Sequence, residues 1–230
     1  MNKSQLHKIA IEKRRKRDKD RRVRDIMNAA QKVLLSGDYI NWTMDDIAME
    51  AGITKPTIYR YFKNKDHLCY SLWHPLIDEL IKQIEIIENK LVARQYASGA
   101  QMIHDFFMDA YYHAYRASPD SFRLIQFFMQ TGSVWNLDQG LSLDLHDKGK
   151  RNARIGRRVY RLAVEQGLIR DYDVQDLQDV IYAIFIGIVQ LSDIKSHKTG
   201  LRSDQQELEA DLVRRLSLAE KLVADALVLN

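Results

Sequence analysis

One cysteine, three prolines and ten glycines are all that 230 residues supply of the groups that crosslink, break or kink a chain. Cys69 has no partner for an internal disulfide and no resolving thiol for redox sensing, so it reads as a small packed residue. With so little proline and glycine, long stretches keep a helical rather than an alternating apolar period. Long hydrophobic runs are also missing. The longest, Val180 to Val189, is about half of a bilayer crossing and reads as a helix buried on most of its faces. No membrane partner is expected. The N-terminus is charged and lacks the apolar core of a secretory signal, and together these features point to the cytoplasm of a microbe.

Catalytic signatures are absent too. The seven histidines are scattered, His67 and His74 being the only pair at a helical repeat, and there is no H-E-x-x-H or Cys/His cluster. G-x-S-x-G, Walker-type and G-x-G-x-x-G loops are missing. The pair Asp45-Asp46 sits at a helix start, where the helix macrodipole accounts for it. No catalytic residue, metal ligand or cofactor is assigned, and an enzyme is the weakest of the functional readings.

What the chain does have is a lopsided charge. Residues 1–24 hold eleven Lys/Arg and three Asp/Glu, a net of +8, against +4 for the whole chain. The remainder is therefore net −4. The core of this run is Lys13-Arg14-Arg15-Lys16-Arg17, followed by Lys19, Arg21, Arg22 and Arg24. It is either a solvated tail or an electrostatic arm that lies on phosphate or reaches a minor groove. Position favours the arm, because the run leads directly into the unit read next. Residues 1–22, with almost no apolar periodicity, are expected to be mobile off DNA.

The most informative stretch is 43–65, TMDDIAMEAGITKPTIYRYFKNK. Thr43 suits an N-cap, with Asp46 as its capping-box partner, and Ile47, Ala48 and Ala51 give the first helix an apolar face. Gly52 can take the left-handed conformation that ends a helix, and Ile53 plugs the turn. Thr54 caps the second helix, and Pro56 lies in its first turn, where a missing N–H does no harm. This is a helix-turn-helix, whose second helix enters a major groove.

Residues 23–68 resemble the DNA-binding domain of the tetracycline-repressor (TetR) family. The matching pieces are VRDIMNAAQKVLLSGDYINWTMDDIAMEAGI and TKPTIYRYFKNKDHL, about a fifth of the chain. The resemblance implies an all-α protein: a three-helix helix-turn-helix domain over 23–68, then a helical effector-binding and dimerisation domain over 69–230. Carried over position by position, it turns Thr54, Lys55, Pro56, Thr57, Tyr59 and Tyr61 toward DNA. Lys55 can donate to guanine O6 and N7, while Pro56 and Thr57 offer apolar contact to thymine methyls. Tyr59, Tyr61 and Lys65 would hold phosphates, and Thr43 would add a contact from the preceding helix. Ile58 and Phe62 belong to the motif's core, and Arg60 stays open between phosphate and solvent.

Beyond residue 68, helices are expected over about 65–91, 97–117, 120–131, 146–166, 174–196 and 204–228. Their signals are Asn64, Ser118-Pro119, Gly167, Asp173 and Ser203 or Asp204, with a kink at Pro75. Val174, Leu177, Ile181, Ile184, Ile188 and Leu191 form one apolar face, and Val180, Phe185 and Val189 a second; two faces need two partners. Leu208, Leu212, Leu216, Ala219, Val223 and Leu227 make a further stripe. The resemblance implies a homodimer through 174–196 and 204–228, which would present two recognition helices to a palindromic double-stranded DNA operator.

It also implies an effector pocket in the middle of the chain. The candidate lining is Trp73, Ile77, Met102, Phe107, Tyr111, Phe128, Trp135, Tyr182 and Phe185, with His104 and Tyr111 orienting a small, mostly apolar or aromatic ligand. The plain alternative is that these side chains are packing. Three classes therefore stand: a ligand-released repressor, a DNA-binding factor of the same fold without an effector, and a helical enzyme with a basic tail.

Overall fold

The computed structural model describes residues 3–35, 42–132, 137–198 and 205–229. Among them every element longer than one antiparallel bridge, Ile169 to Val228, is helical. The order is α1 (Lys3–Leu35), α2 (Met44–Glu50), α3 (Lys55–Tyr59), α4 (Lys65–Val92) and α5 (Gly99–His104). A π-helical segment (Asp105–Tyr112) follows, then α6 (His113–Ala117), α7 (Pro119–Gln130), α8 (Gln139–Glu165), α9 (Val174–Lys198) and α10 (Gln205–Leu227). The chain divides into two compact units, Met1–Pro75 with Ser118–Asp144, and Leu76–Ala117 with Leu145–Asn230.

The first unit is larger than the motif that announces it. Ile26, Ala29, Ala30 and Leu34 of α1, Ile47 and Ala48 of α2, Ile58 of α3, and Phe62 and Leu68 are all buried. The helix boundaries are local chemistry. The Thr43 hydroxyl accepts from the Asp46 N–H at 3.2 Å, and the Thr43 N–H donates back to Asp46 Oδ2 at 2.7 Å. Gly52 has φ +62°, and Asn64 Oδ1 accepts from the His67 N–H at 2.9 Å. What the motif does not announce is α7, which packs on α1. Its buried Ser121 hydroxyl donates to the Leu72 carbonyl of α4 at 2.6 Å and lies 3.5 Å from Gln31 Nε2 of α1.

The arm departs from expectation. Instead of a mobile tail before Val23, α1 is one helix from Lys3, with residues 5–22 exposed throughout. No glycine or proline interrupts it, and Lys and Arg are good helix formers.

In the second unit the helix expected over 97–117 is continuous but widened in the middle. The His113 N–H reaches the Met108 carbonyl, five residues back, and the segment before it is π-helical. Its first residue, Asp105, is buried, held by Lys90 Nζ and the Tyr96 hydroxyl at 2.7 Å each. Asp105 is the buried partner, while the Lys90 side chain keeps 37% of its surface exposed.

The α10 stripe is core: Leu212, Leu216, Ala219, Val223 and Leu227 are buried, on a helix that packs against α9 and α5. In α9 the expectation of burial on most faces is corrected. Of the run Val180 to Val189 only Phe185 and Val189 are buried, and Val180 is 55% exposed. One face packs within the chain, while Val180, Leu191 and Ile194 of α9 stay open, as do Leu218 and Leu222 of α10. By length and composition alone, Val174–Lys195 is apolar enough to cross a bilayer. Ser203 and Asp204, the expected start of the last helix, lie outside the described residues.

Candidate nucleic-acid interface and ligand core

Helix α3 is five residues long and has one buried side chain, Ile58. That anchor, with Phe62 behind it, sets which residues face outward. Thr54, Lys55, Pro56, Tyr59 and Arg60 are exposed, and Thr57 and Tyr61 are half-buried. Thr54 holds the N-cap position without capping the backbone; its hydroxyl pairs instead with that of Thr57 at 2.9 Å. Two hydroxyls, a proline ring, a lysine and a phenol thus make a polar surface with an apolar root.

Two of the candidate cations already have partners. Lys55 Nζ lies 2.8 Å from Asp45 Oδ2, and this hydrogen-bonded pairing raises the Lys55 pKa above the ordinary lysine value. Both side chains are exposed, so the pair is worth little and exchangeable. Lys65 is held more firmly. Its ammonium donates to the Trp42 carbonyl at 3.0 Å and sits 4.0 Å from the centroid of the indole ring, which is itself buried. In the free protein Lys65 therefore ties the start of α4 to the residue before the α2 cap. Thr43 is committed likewise, since its hydroxyl both donates to and accepts from Asp46. Those hydrogen bonds from Thr43 hold the Asp46 carboxyl below the usual carboxylate range.

Sequence reasoning assigns one of these partners, Asp45, only to the macrodipole, and gives Trp42 no role. An acidic residue in the first turn of α2, ten positions before the lysine that opens α3, is the available signal for the Lys55 pairing.

The ten expected lining residues fall in both units. Trp73 and Phe128 belong to the first unit, and Trp135 lies outside the described residues. Trp73 is buried edge-on to Tyr70 with centroids 4.9 Å apart, and its indole N–H has no hydrogen-bond partner among the described residues. The other seven are in the second unit. There Tyr111 stacks on Phe185 at 5.2 Å and tilts against Tyr182 at 6.0 Å. Burial, then Tyr182, pushes the Tyr111 phenol well above its usual range, so it stays a neutral hydroxyl. Met102 and Phe107 are buried and Ile77 is half-buried. His104 is exposed, with Nδ1 3.0 Å from Glu220 Oε1 of α10.

No cluster of three or more His, Cys, Asp or Glu suited to a metal ion occurs among the described residues. Burial raises the Cys69 thiol to about 12, which makes it a poor nucleophile at neutral pH.

The family model of bacterial regulatory proteins of the tetR family matches residues 26–70. The fatty acid metabolism regulator protein of Bacillus subtilis (strain 168) is 34% identical over 71 residues, 30% of this chain. That stretch is 37% of the relative, so the match covers little more than a third of its length. Among solved structures, the regulator PfmR from Thermus thermophilus aligns with a TM-score of 0.59 at 18% identity, over 72% of this chain and 84% of that one. FadR from Bacillus subtilis in complex with stearoyl-CoA aligns with a TM-score of 0.51 at 19% identity, over 84% and 95%. At these identities the structures show a shared fold. Residues 26–70 therefore match the bacterial regulatory proteins of the tetR family in sequence, and the helical fold of the chain is the one these solved regulators share.

Proposed function

We propose that the protein is a sequence-specific transcriptional regulator, a dimeric repressor that leaves its operator when a small, mostly apolar or aromatic ligand binds. The observation that carries this reading is α3, where buried Ile58 fixes an outward surface of Lys55, Pro56, Thr57 and Tyr59. A lysine that can leave an exposed carboxylate for guanine, beside groups that suit thymine methyls, is a base-reading surface. Tyr59 and Tyr61 serve phosphates. Lys65 and Thr43 support this surface through Trp42 and Asp46, and reach DNA only by leaving those partners.

The open apolar residues of α9 and α10 support a homodimer through 174–196 and 204–228. Val180, Leu191, Leu218 and Leu222 are each more than half exposed, and a second copy would cover them. The effector reading rests on the aromatic group of the second unit, Tyr111, Tyr182 and Phe185 with Met102 and Phe107. A ligand there would act on the DNA-binding unit through α4, which carries Lys65 at its start and contributes residues to both units. It cannot release DNA merely by binding tightly. It must favour the non-binding state, by about 4 kcal/mol for a thousandfold loss of affinity.

The test is a titration of operator affinity with apolar and amphipathic probes, a long-chain acyl-CoA among them, in wild type and in Ala110→Trp, which puts a large ring at a fully buried position next to Tyr111 in the chain. Release in wild type and none in the variant supports the reading. Equal release in both moves the effector elsewhere. No release by any probe favours the same fold acting without an effector.

A further inference from the structure

We propose that α1 upstream of Val23 is a second DNA-binding element, a helical arm that lies along the phosphates flanking each operator half-site. This deepens the reading of the chain as a DNA-binding regulator and rests on it.

The argument starts from one helix face. Ile26, Ala29, Ala30 and Leu34 are the buried stripe of α1. Followed toward the N-terminus at helical spacing, that same face carries Arg22, Lys19, Arg15 and Lys8, with Glu12 the one acid among them. The face turns from apolar to cationic within one turn, and residues 5–22 are exposed on every side. This segment cannot be an extension of the core.

Nor does the protein neutralise it. Residues 1–24 are net +8, and five consecutive cations, Lys13 to Arg17, cover the whole circumference. Among the described residues the arm's ion pairs are confined to the helix itself: Asp18 with Arg14 at 4.0 Å and with Arg21 at 3.4 Å. Lys13, Arg15, Lys16, Arg17, Lys19 and Arg22 have no ion pair among the described residues. Like charges meet four apart at Lys13/Arg17, Arg15/Lys19 and Arg17/Arg21, which destabilises an isolated helix. A dense, regular polyanion removes all of these repulsions at once.

Continuity selects the polyanion. The arm runs without a break into the helix that packs on α2, so DNA bound at α3 brings phosphate to the arm at high effective concentration. A membrane surface would want an apolar face along the helix. The exposed apolar side chains here, Leu6, Ile9 and Ile11, stop before the basic run begins. In a two-fold dimer, two arms of this charge repel each other across the axis, which directs them away from the centre of the operator. Residues 3–22 as helix span about 30 Å, which is roughly nine base pairs of duplex at about 3.4 Å each.

The experiment uses the full-length protein and a variant with Arg14, Arg15, Lys16 and Arg17 all changed to Gln, on the duplex recovered by selection from a random pool. None of these side chains is buried, so the variant should keep its melting temperature. Flanks are lengthened stepwise outside the half-sites. Wild-type affinity should rise with flank length, level off near nine added base pairs per side, and carry a log–log salt slope steeper by about 0.9 for each phosphate engaged. The variant should respond weakly to flanks and lose about 3–4 from that slope. Flank-independent binding by wild type, or flank dependence kept in full by the variant, overturns the proposal. So does variant-sensitive binding to anionic phosphatidylserine vesicles without any flank effect. Specific binding of the shortest duplex by both proteins tests the regulator reading separately, so the two can fail independently.

Discussion

Two helices of this chain are conspicuously basic, and they use their charge in opposite ways. The arm of α1 makes ion pairs only with its own Asp18 among the described residues. Helix α8 holds seven Lys/Arg between Lys148 and Arg161, and three of them are matched along α4. Lys148 pairs with Asp78, Arg151 Nε with Glu85 at 3.1 Å, and Arg158 with Glu88 at 3.1 Å. On α8 these cations flank a buried face of Ile155, Val159 and Ala163, whereas the arm has no buried face. Composition alone does not separate the two helices. The carboxylates opposite them do, and they make this stretch of α8 part of the second unit while the arm is left to recruit its anion from outside.

The largest effect should come from removing the unmatched charge. A variant beginning at Arg22 should lose about a hundredfold or more in DNA affinity at low salt and part of its salt slope. Its melting temperature should hold, since none of residues 5–21 is buried. Thermal melts and a binding series over salt concentration check both halves. An unchanged salt slope would reduce the arm to a solvated tail and erase the contrast with α8.

Next in size is the base reader. Lys55→Ala should relax base preference at one position per half-site, by about 1–3 kcal/mol, without changing the arm's salt-dependent share. Asp45→Asn should act oppositely, raising affinity severalfold by freeing Lys55 and removing a negative charge from the surface. Selection of bound sequences with each variant distinguishes loss of reading from loss of attraction. If Lys55→Ala leaves both affinity and preference intact, the base reader is another residue.

Which of these features a sequence can reveal follows from how local they are. Thr43 with Asp46, Gly52, Asn64, Ser118, Gly167 and Asp173 all act within four residues, and each sits at the boundary its chemistry predicts. Thr54 keeps the cap position yet gives its hydroxyl to Thr57, a competition between two local partners that spacing does not decide. Lys55 with Asp45, Lys65 with Trp42, and His104 with Glu220 join residues 10, 23 and 116 positions apart, so nothing in periodicity exposes them. The π-helical segment from Asp105 has no mark in the apolar period, and the expected aromatic list falls in both units. A stripe of aromatics marks burial, and only the packed neighbours say where.

A smaller change tests the capping chemistry. Thr43→Ala should cost about 1 kcal/mol of stability, the usual value of a lost N-cap, read as a lower denaturation midpoint with unchanged slope. The sign of its pH dependence is fixed by Asp46, whose folded pKa is held below the ordinary carboxylate value of 3.8. The carboxylate's share of the capping box is therefore complete at neutral pH and fades as pH falls below that value through the folded pKa. The gap between wild type and variant should narrow in strongly acid solution by the share the carboxylate contributes, and keep the share of the Thr43 hydroxyl that accepts the Asp46 N–H. A constant gap across pH would mean that the carboxylate contributes nothing to the cap.

The smallest expected effect closes the comparison of the two basic helices. Arg151→Ala removes a cation that is 54% exposed and pairs with Glu85, which is 33% exposed. An ion pair in that setting contributes about 0–1 kcal/mol, because water screens the attraction and both long side chains lose freedom in making it. Glu85→Ala should cost about the same, and the double variant should show a coupling of about a few tenths of a kcal/mol. DNA affinity and its salt slope should not change, in contrast to a charge loss of the same size in the arm. A salt slope lowered by Arg151→Ala would put α8 on the DNA as well. The matched carboxylates of α4 would then no longer explain why one basic helix serves the fold and the other serves the phosphate.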